Sequence, residues 1–296
     1  SAASFGVDGA RRLKRAPMHW VDWAVMLLYG AFVVWLGLRV GRGATSGEGH
    51  LRGDRSLPPW AVVFSVLATE VSAATYIGVP EAAFKGDWTY IQFAVGALLG
   101  KLALSTWFIR LYWRLNLPTV YGFLKARVGP RTHATATWAF LFGRLIASGV
   151  RMYIAAKAFS VVTDFEIEAA IFTMAAISTA YTIFGGLKAV VWTDVAQGSL
   201  FFLGAATAVC VALAKLDQPV AAVVSDALAA GKLHAFAFAP EEGASWLQSA
   251  RPLPVAALAG FFLALASHGC DQENVQHLLN VKSERGSALS ILWSGL

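Results

Sequence analysis

Eight predominantly apolar stretches follow one another along this chain of 296 residues. They lie at about 19–40, 58–80, 88–110, 133–162, 166–184, 189–214, 253–270 and 286 onward. Most approach the ~20 residues a helix needs to cross a bilayer. In lipid the backbone must satisfy its own polar groups, so consecutive spans of this length fold as helices. Only 14% of residues are charged against 57% hydrophobic, well short of the ~25% charge of soluble domains. The predicted fold class is therefore an all-α, polytopic transmembrane helical bundle, with the lipid bilayer as its first partner. The net charge of +6 does not point to nucleic acid, because the basic residues lie mainly in the joints between spans, where they set topology.

Glycine, proline and charge mark those joints: Gly41 to Pro59, Pro80 to Asp87, Pro118 to Arg131, Gly185-Gly186 and Asp217 to Pro254. The stretch Val220–Ala230 within the long 215–252 loop has the pattern of a short amphipathic helix. Lys and Arg counts give the orientation. The loops 39–57, 110–131, 185–188 and 271–285 hold twelve basic residues, against four in 81–87, 163–168 and 215–252. The first group is expected inside and the N-terminus outside. Arg11, Arg12, Lys14 and Arg15 run against that rule, so residues 1–18 are read as a basic arm that is not the native start, and 19–296 as the transmembrane domain. No signal-peptide pattern is present. Cys210 and Cys270 lack metal-ligand spacing and are read as small packing residues.

Two segments carry chemistry. The first is Tyr181 to Gln197, YTIFGGLKAVVWTDVAQ, in which two glycines and a lysine interrupt apolar sequence and Asp194 returns a charge inside the next span. A carboxylate in a span costs a few kcal/mol by insertion scales and usually faces a cation or a water path. The second is Ser65 to Pro80, rich in small and hydroxyl residues, with Glu70 within it and Gly78-Val79-Pro80 at its end. Proline cannot continue a regular helix, and broken helices in transporters offer free carbonyls to hard cations. The competing reading is a packing seam of small residues. The Gly96–Gly100 pair is read as packing alone.

The Tyr181–Gln197 segment closely resembles the signature of the sodium:solute symporter family, and Ala68 to Thr75 resembles that family's first core helix. The resemblance implies a leucine-transporter-like core of inverted five-helix repeats, only the first part of which is present here, with further helices beyond Leu296. It implies sodium-coupled secondary active symport of a small organic solute by alternating access, in the plasma (bacterial inner) membrane, and no enzymatic activity. The co-transported ion, Na+, would be held by the backbone carbonyls of Ala68 and Val71, and Asp194 would line its exit path or a second cation site. Ser72 and Thr75 match solute-contacting positions. Serine hydroxyls on a helix beyond Leu296 would complete the sodium site.

Arg144 and Arg151 share a helical face, and an arginine in a span needs a carboxylate, a substrate or a watery vestibule. The helix resembles that of sialic acid symporters, in which an arginine holds the substrate carboxylate. Arg151, beside Ser148 and Gly149, is the preferred clamp. The alternative is an internal ion pair with Glu70 or Asp194. Gln92 is a further substrate candidate, with an interhelical hydrogen bond as the rival reading. Ala264 to Gln276 resembles the family's other broken helix. Ser267 is a substrate candidate there, and the absence of aromatics near it argues against a stacked sugar. His268 is read as a packed, hydrogen-bonded group. The expected solute is anionic, a monocarboxylate or acidic sugar such as sialic acid, with an amino acid as the rival. The rival function is the solute-sensing domain of a sensor histidine kinase.

Overall fold

The computed structural model describes residues 19–41, 55–71, 73–115, 119–246 and 248–296. The N-terminal arm and Ser72 lie outside them. Among the described residues twelve helices follow in order: α1 Trp20–Gly41, α2 Pro59–Glu70, α3 Ala73–Lys85, α4 Tyr90–Ala103, α5 Ile109–Leu115, α6 Val120–Arg127, α7 Pro130–Thr163, α8 Ile167–Ala214, α9 Val220–Ala229, α10 Leu253–Leu265, α11 Gln272–Leu279 and α12 Glu284–Trp293. No strand occurs among the described residues. Wider π turns, Leu104–Phe108 and Ala266–Cys270, extend α4 and α10. Five segments among the described residues are long and apolar enough to cross a membrane: Trp20–Val40, Tyr90–Leu115, Pro130–Val161, Gly186–Ala214 and Leu253–Cys270. The other three stretches of the eight are broken or short. At 1.5 Å per residue a helix of 12 residues reaches ~18 Å, so α2 and α3 must cross together.

The break in the second span differs from expectation. It falls at Val71, whose φ −80° and ψ 108° are extended, while Pro80 sits inside α3. Membrane helices tolerate proline where neighbours satisfy the freed carbonyl. A second break falls at Asp271, with φ −75° and ψ 121°, between the π turn of α10 and α11. A third falls at Gly186, with φ 60° and ψ −166°, a conformation open essentially to glycine alone. It divides α8 into two spans where the double glycine predicted a joint. Asp164, at φ 58°, ends α7 in the left-handed conformation. Cys210 and Cys270 are free and exposed, not packed, because they lie on helix surfaces that this chain leaves uncovered.

Packing is closest between α4 and α10. A Cβ on Gly96 would stand 1.9 Å from the Ala257 carbonyl oxygen, and one on Gly260 would stand 2.1 Å from that of Phe93. Only glycine permits this backbone approach. The buried core gathers Val62 and Val66 of α2, Leu104, Val191 of α8, Leu278 of α11 and Ile291 of α12.

Several loops meet at each end of the bundle. Leu57 pairs with Val281, Arg110 lies 3.9 Å from Glu284, and the Val120 amide donates to Gln272. At the other end Lys232 donates to the Phe84 and Lys85 carbonyls, and Arg251 pairs with Asp87 at 2.8 Å. Trp23, near the start of α1, meets Phe165 of the acidic 163–168 turn, ring centroids 5.6 Å apart. Described segments of the 39–57, 110–131 and 271–285 loops thus touch one another.

Candidate functional site

The helix end at Glu70 sets the site. The last turn of a helix leaves carbonyls without an amide four residues on, and Ala68 lies in that turn, with Val71 extended beyond it. Side chains join this break to the one at Asp271. The Thr69 hydroxyl, which donates to the Val66 carbonyl at 2.7 Å, also lies 3.3 Å from the Asn274 amide oxygen, and the Asn274 amide donates to the Ser267 carbonyl at 2.8 Å. Ser267 Oγ lies 2.8 Å from His268 Nδ1, and His268 Nε2 lies 2.7 Å from Glu70 Oε1. The chain of contacts closes on itself, since Glu70 follows Thr69. The break at Asp271 is further capped from α5 and α6: Tyr112 donates to the Gly269 carbonyl at 2.6 Å and Tyr121 to that of Cys270 at 3.2 Å.

Asp194 accepts from Ser65 Oγ at 2.5 Å, and that hydroxyl also lies 2.9 Å from His277 Nδ1. Ser65 is the one side chain hydrogen-bonded to Asp194 among the described residues, and neither Arg144 nor Arg151 pairs with it. Arg144 instead meets Asp271 at 3.2 Å and also Glu273. Arg144 and Glu273, together with Ser148, Leu187, Gln276 and His277, line a cavity of about 380 Å³.

Arg151 lies elsewhere. It lines a cavity of about 800 Å³ with Tyr76 of α3, Ser148, Ser178 and Gln197, and makes no hydrogen bond or ion pair with any described residue. Thr75 lies on α3 near Tyr76, exposed and engaged in an interaction of its own. Ser148 borders both cavities. The structure does not bring Gln92 or Ser267 to Arg151. Gln92 is fully buried; its amide donates to the Arg251 carbonyl at 2.8 Å and accepts from the Ala237 amide at 2.9 Å, both in the long loop before α10 rather than on a neighbouring helix. Ser267 belongs to the polar ring between the two breaks.

One charged residue escaped the sequence reading. Lys101, only 4% exposed in its side chain, lies 2.6 Å from Glu70. Its signal was present, since a lysine inside the apolar run 88–110 needs a partner as much as Glu70 does. His/Cys/Asp/Glu clusters able to hold a metal are absent among the described residues.

This geometry, with broken helices facing each other inside a bundle and a carboxylate beneath them, is that of a secondary transporter core. The model of the sodium:solute symporter family matches residues 50–284, and the chain belongs to that family. It is 30% identical over 276 residues to the sodium-dependent multivitamin transporter of Oryctolagus cuniculus, which covers 91% of this chain and 42% of that protein. It is 26% identical to the sodium/sialic acid symporter NanT of Aliivibrio fischeri, covering 88% of this chain and 50% of that one. The chain thus spans about half the length of these relatives or less. A solved Na+-coupled sialic acid symporter, in its substrate-bound outward-open state, superposes with a TM-score of 0.82 at 21% identity over 94% of this chain and 58% of its own. That likeness is one of fold, the leucine-transporter-like bundle of an integral membrane protein.

Proposed function

We propose that the full-length protein couples inward sodium movement to uptake of a small organic anion, a monocarboxylate or an acidic sugar, by alternating access. One observation carries the choice of solute: Arg151 lines the large cavity beside α3 without a partner among the described residues. A guanidinium in a span needs a negative group, and a carboxylate matches its planar fork with two parallel hydrogen bonds. Thr75 and Ser72 flank the solute from the broken helix, Ser72 lying outside the described residues. Gln197, Ser148 and Ser178 supply further polar groups on the same wall. NanT, one of the relatives, carries an acid by its name.

Sodium is held by the carbonyls of Ala68 and Val71, with Asp194 on its route to the cytoplasmic face. A hard cation favours such oxygen ligands. The protein sits in the plasma (bacterial inner) membrane, and the Lys and Arg distribution supports an N-terminus outside.

Uptake in proteoliposomes tests the reading. A sodium gradient is expected to drive accumulation and a potassium gradient is not. Arg151→Lys keeps the charge but loses the fork, so the apparent affinity for a carboxylate solute should fall about tenfold or more, with sodium binding retained. Displacement of the solute by neutral sugars or amines, and not by carboxylates, would reject the anion. Displacement by zwitterionic amino acids would favour that rival solute.

A further inference from the structure

Glu70 stands immediately before Val71, so a full negative charge borders the proposed sodium site. Left alone, it would attract a cation of its own. The structure supplies one from inside the protein. Lys101, from α4, places Nζ 2.6 Å from Glu70 Oε1. The same ammonium donates to the Ser294 carbonyl at 2.9 Å and to Ser294 Oγ at 3.2 Å, so it is fixed at the end of α12. His268 Nε2 also reaches Glu70, and its other nitrogen faces the Ser267 hydroxyl. Lys101 is the one lysine or arginine paired with Glu70 among the described residues.

We infer that Lys101 is a tethered internal cation that saturates Glu70, and so determines how many sodium ions the Val71 break recruits. This rests on the sodium-symport reading above. Lysine suits the role because its ammonium is a compact point charge, about as localised as a small metal cation. A residue that only braced α4 against α2 would be replaceable by any polar pair without consequence for ions. A charge-saturating residue is not. Removing Lys101 alone frees Glu70 to bind a second cation, and removing Glu70 alone leaves an unneutralised ammonium repelling the first.

The test is sodium-dependent thermal stabilisation of the purified full-length protein in detergent, with choline as the ionic-strength control. It compares wild type, Glu70→Gln, Lys101→Met, the double variant and Lys101→Arg. Glu70→Gln should raise the half-saturating sodium concentration about tenfold, a coupling of ordinary size between interacting sites. Lys101→Met should steepen the sodium response beyond that of the wild type. The neutral double variant and Lys101→Arg should both return to wild-type behaviour. If either single variant is too unstable to purify, the remaining one and the double variant carry the same comparison. Singles whose sodium response matches the wild type overturn the inference, as does a double variant no closer to wild type than the singles. A wild-type protein indifferent to sodium overturns the symport reading, and this inference with it. A sodium-responsive wild type with indifferent variants overturns this inference alone.

Discussion

Gly96→Ala adds one methyl group where the structure has no space for it. The new Cβ would stand 1.9 Å from the Ala257 carbonyl oxygen and 2.6 Å from its carbonyl carbon and Cα. All three atoms are backbone, so no side chain can swing aside. Restoring ordinary contact requires α4 and α10 to part by about 1 Å, a gap that forfeits about a quarter to a half of the dispersion energy of each contact along the seam. Overpacking of this kind costs about 1–3 kcal/mol, and the opened seam adds about 1–2 kcal/mol to that. Alanine returns about 1 kcal/mol through its better helix propensity. The net loss is about 1–4 kcal/mol, or a fall of about 2–15 °C in the melting temperature of the purified protein. Gly143→Ala in α7 is the matched control, because a Cβ there meets nothing within 4 Å; its melting temperature should hold or rise. The measurement is thermal melting in detergent followed by intrinsic fluorescence. If Gly96→Ala melts at or above the wild type, as the control should, the α4–α10 seam is not held by backbone contact and the reasoning fails.

Asp194→Asn keeps shape and the Ser65 contact but removes the charge, so sodium activation of uptake should weaken about tenfold or more. An unchanged sodium dependence in a well-folded variant would reject its ion role. Asp87 lies in the loop between α3 and α4. Burial works to raise its carboxyl's pKa, but donation from the Thr89 hydroxyl and amide and the nearby Arg251 hold it below the ordinary 3.8. A depressed folded-state value stabilises above the unfolded one and is lost as pH falls through the folded one. Asp87→Asn should therefore cost about 1 kcal/mol at pH 7, with the gap to wild type narrowing as pH drops below 3.8; equal stabilities at pH 7 would remove the Asp87–Arg251 contact from the account.

The positions of the breaks show what local sequence carries. Gly186 is legible because only glycine takes its backbone conformation, and the joint was expected there. The break at Val71 is not legible in the same way. Proline-centred reasoning pointed to Gly78-Val79-Pro80, but Pro80 is absorbed into α3. What lies beside the Val71 break is the pairing of Thr69 and Glu70 with Asn274, Lys101 and His268, two of them some two hundred residues away. Arg144 and Arg151 show the same limit. Both were legible as arginines in need of partners, but which one is already satisfied depends on Asp271 and Glu273, which arrive from another helix. Charge patterning needs only counts of Lys and Arg, and three of the segments it groups, 39–57, 110–131 and 271–285, do meet in the structure.

The closed ring of Thr69, Asn274, Ser267, His268 and Glu70 also constrains how this sequence can drift. Stranding one buried donor or acceptor costs about 1–3 kcal/mol, whereas exchanging both partners of a contact is nearly neutral. Each member is therefore answerable to another on a different helix: Thr69 to Asn274, Glu70 to Lys101 and His268. Substitutions at these positions should be accepted in lineages only as pairs. An alignment of full-length family members would then record the meeting of the two broken helices as columns that change together.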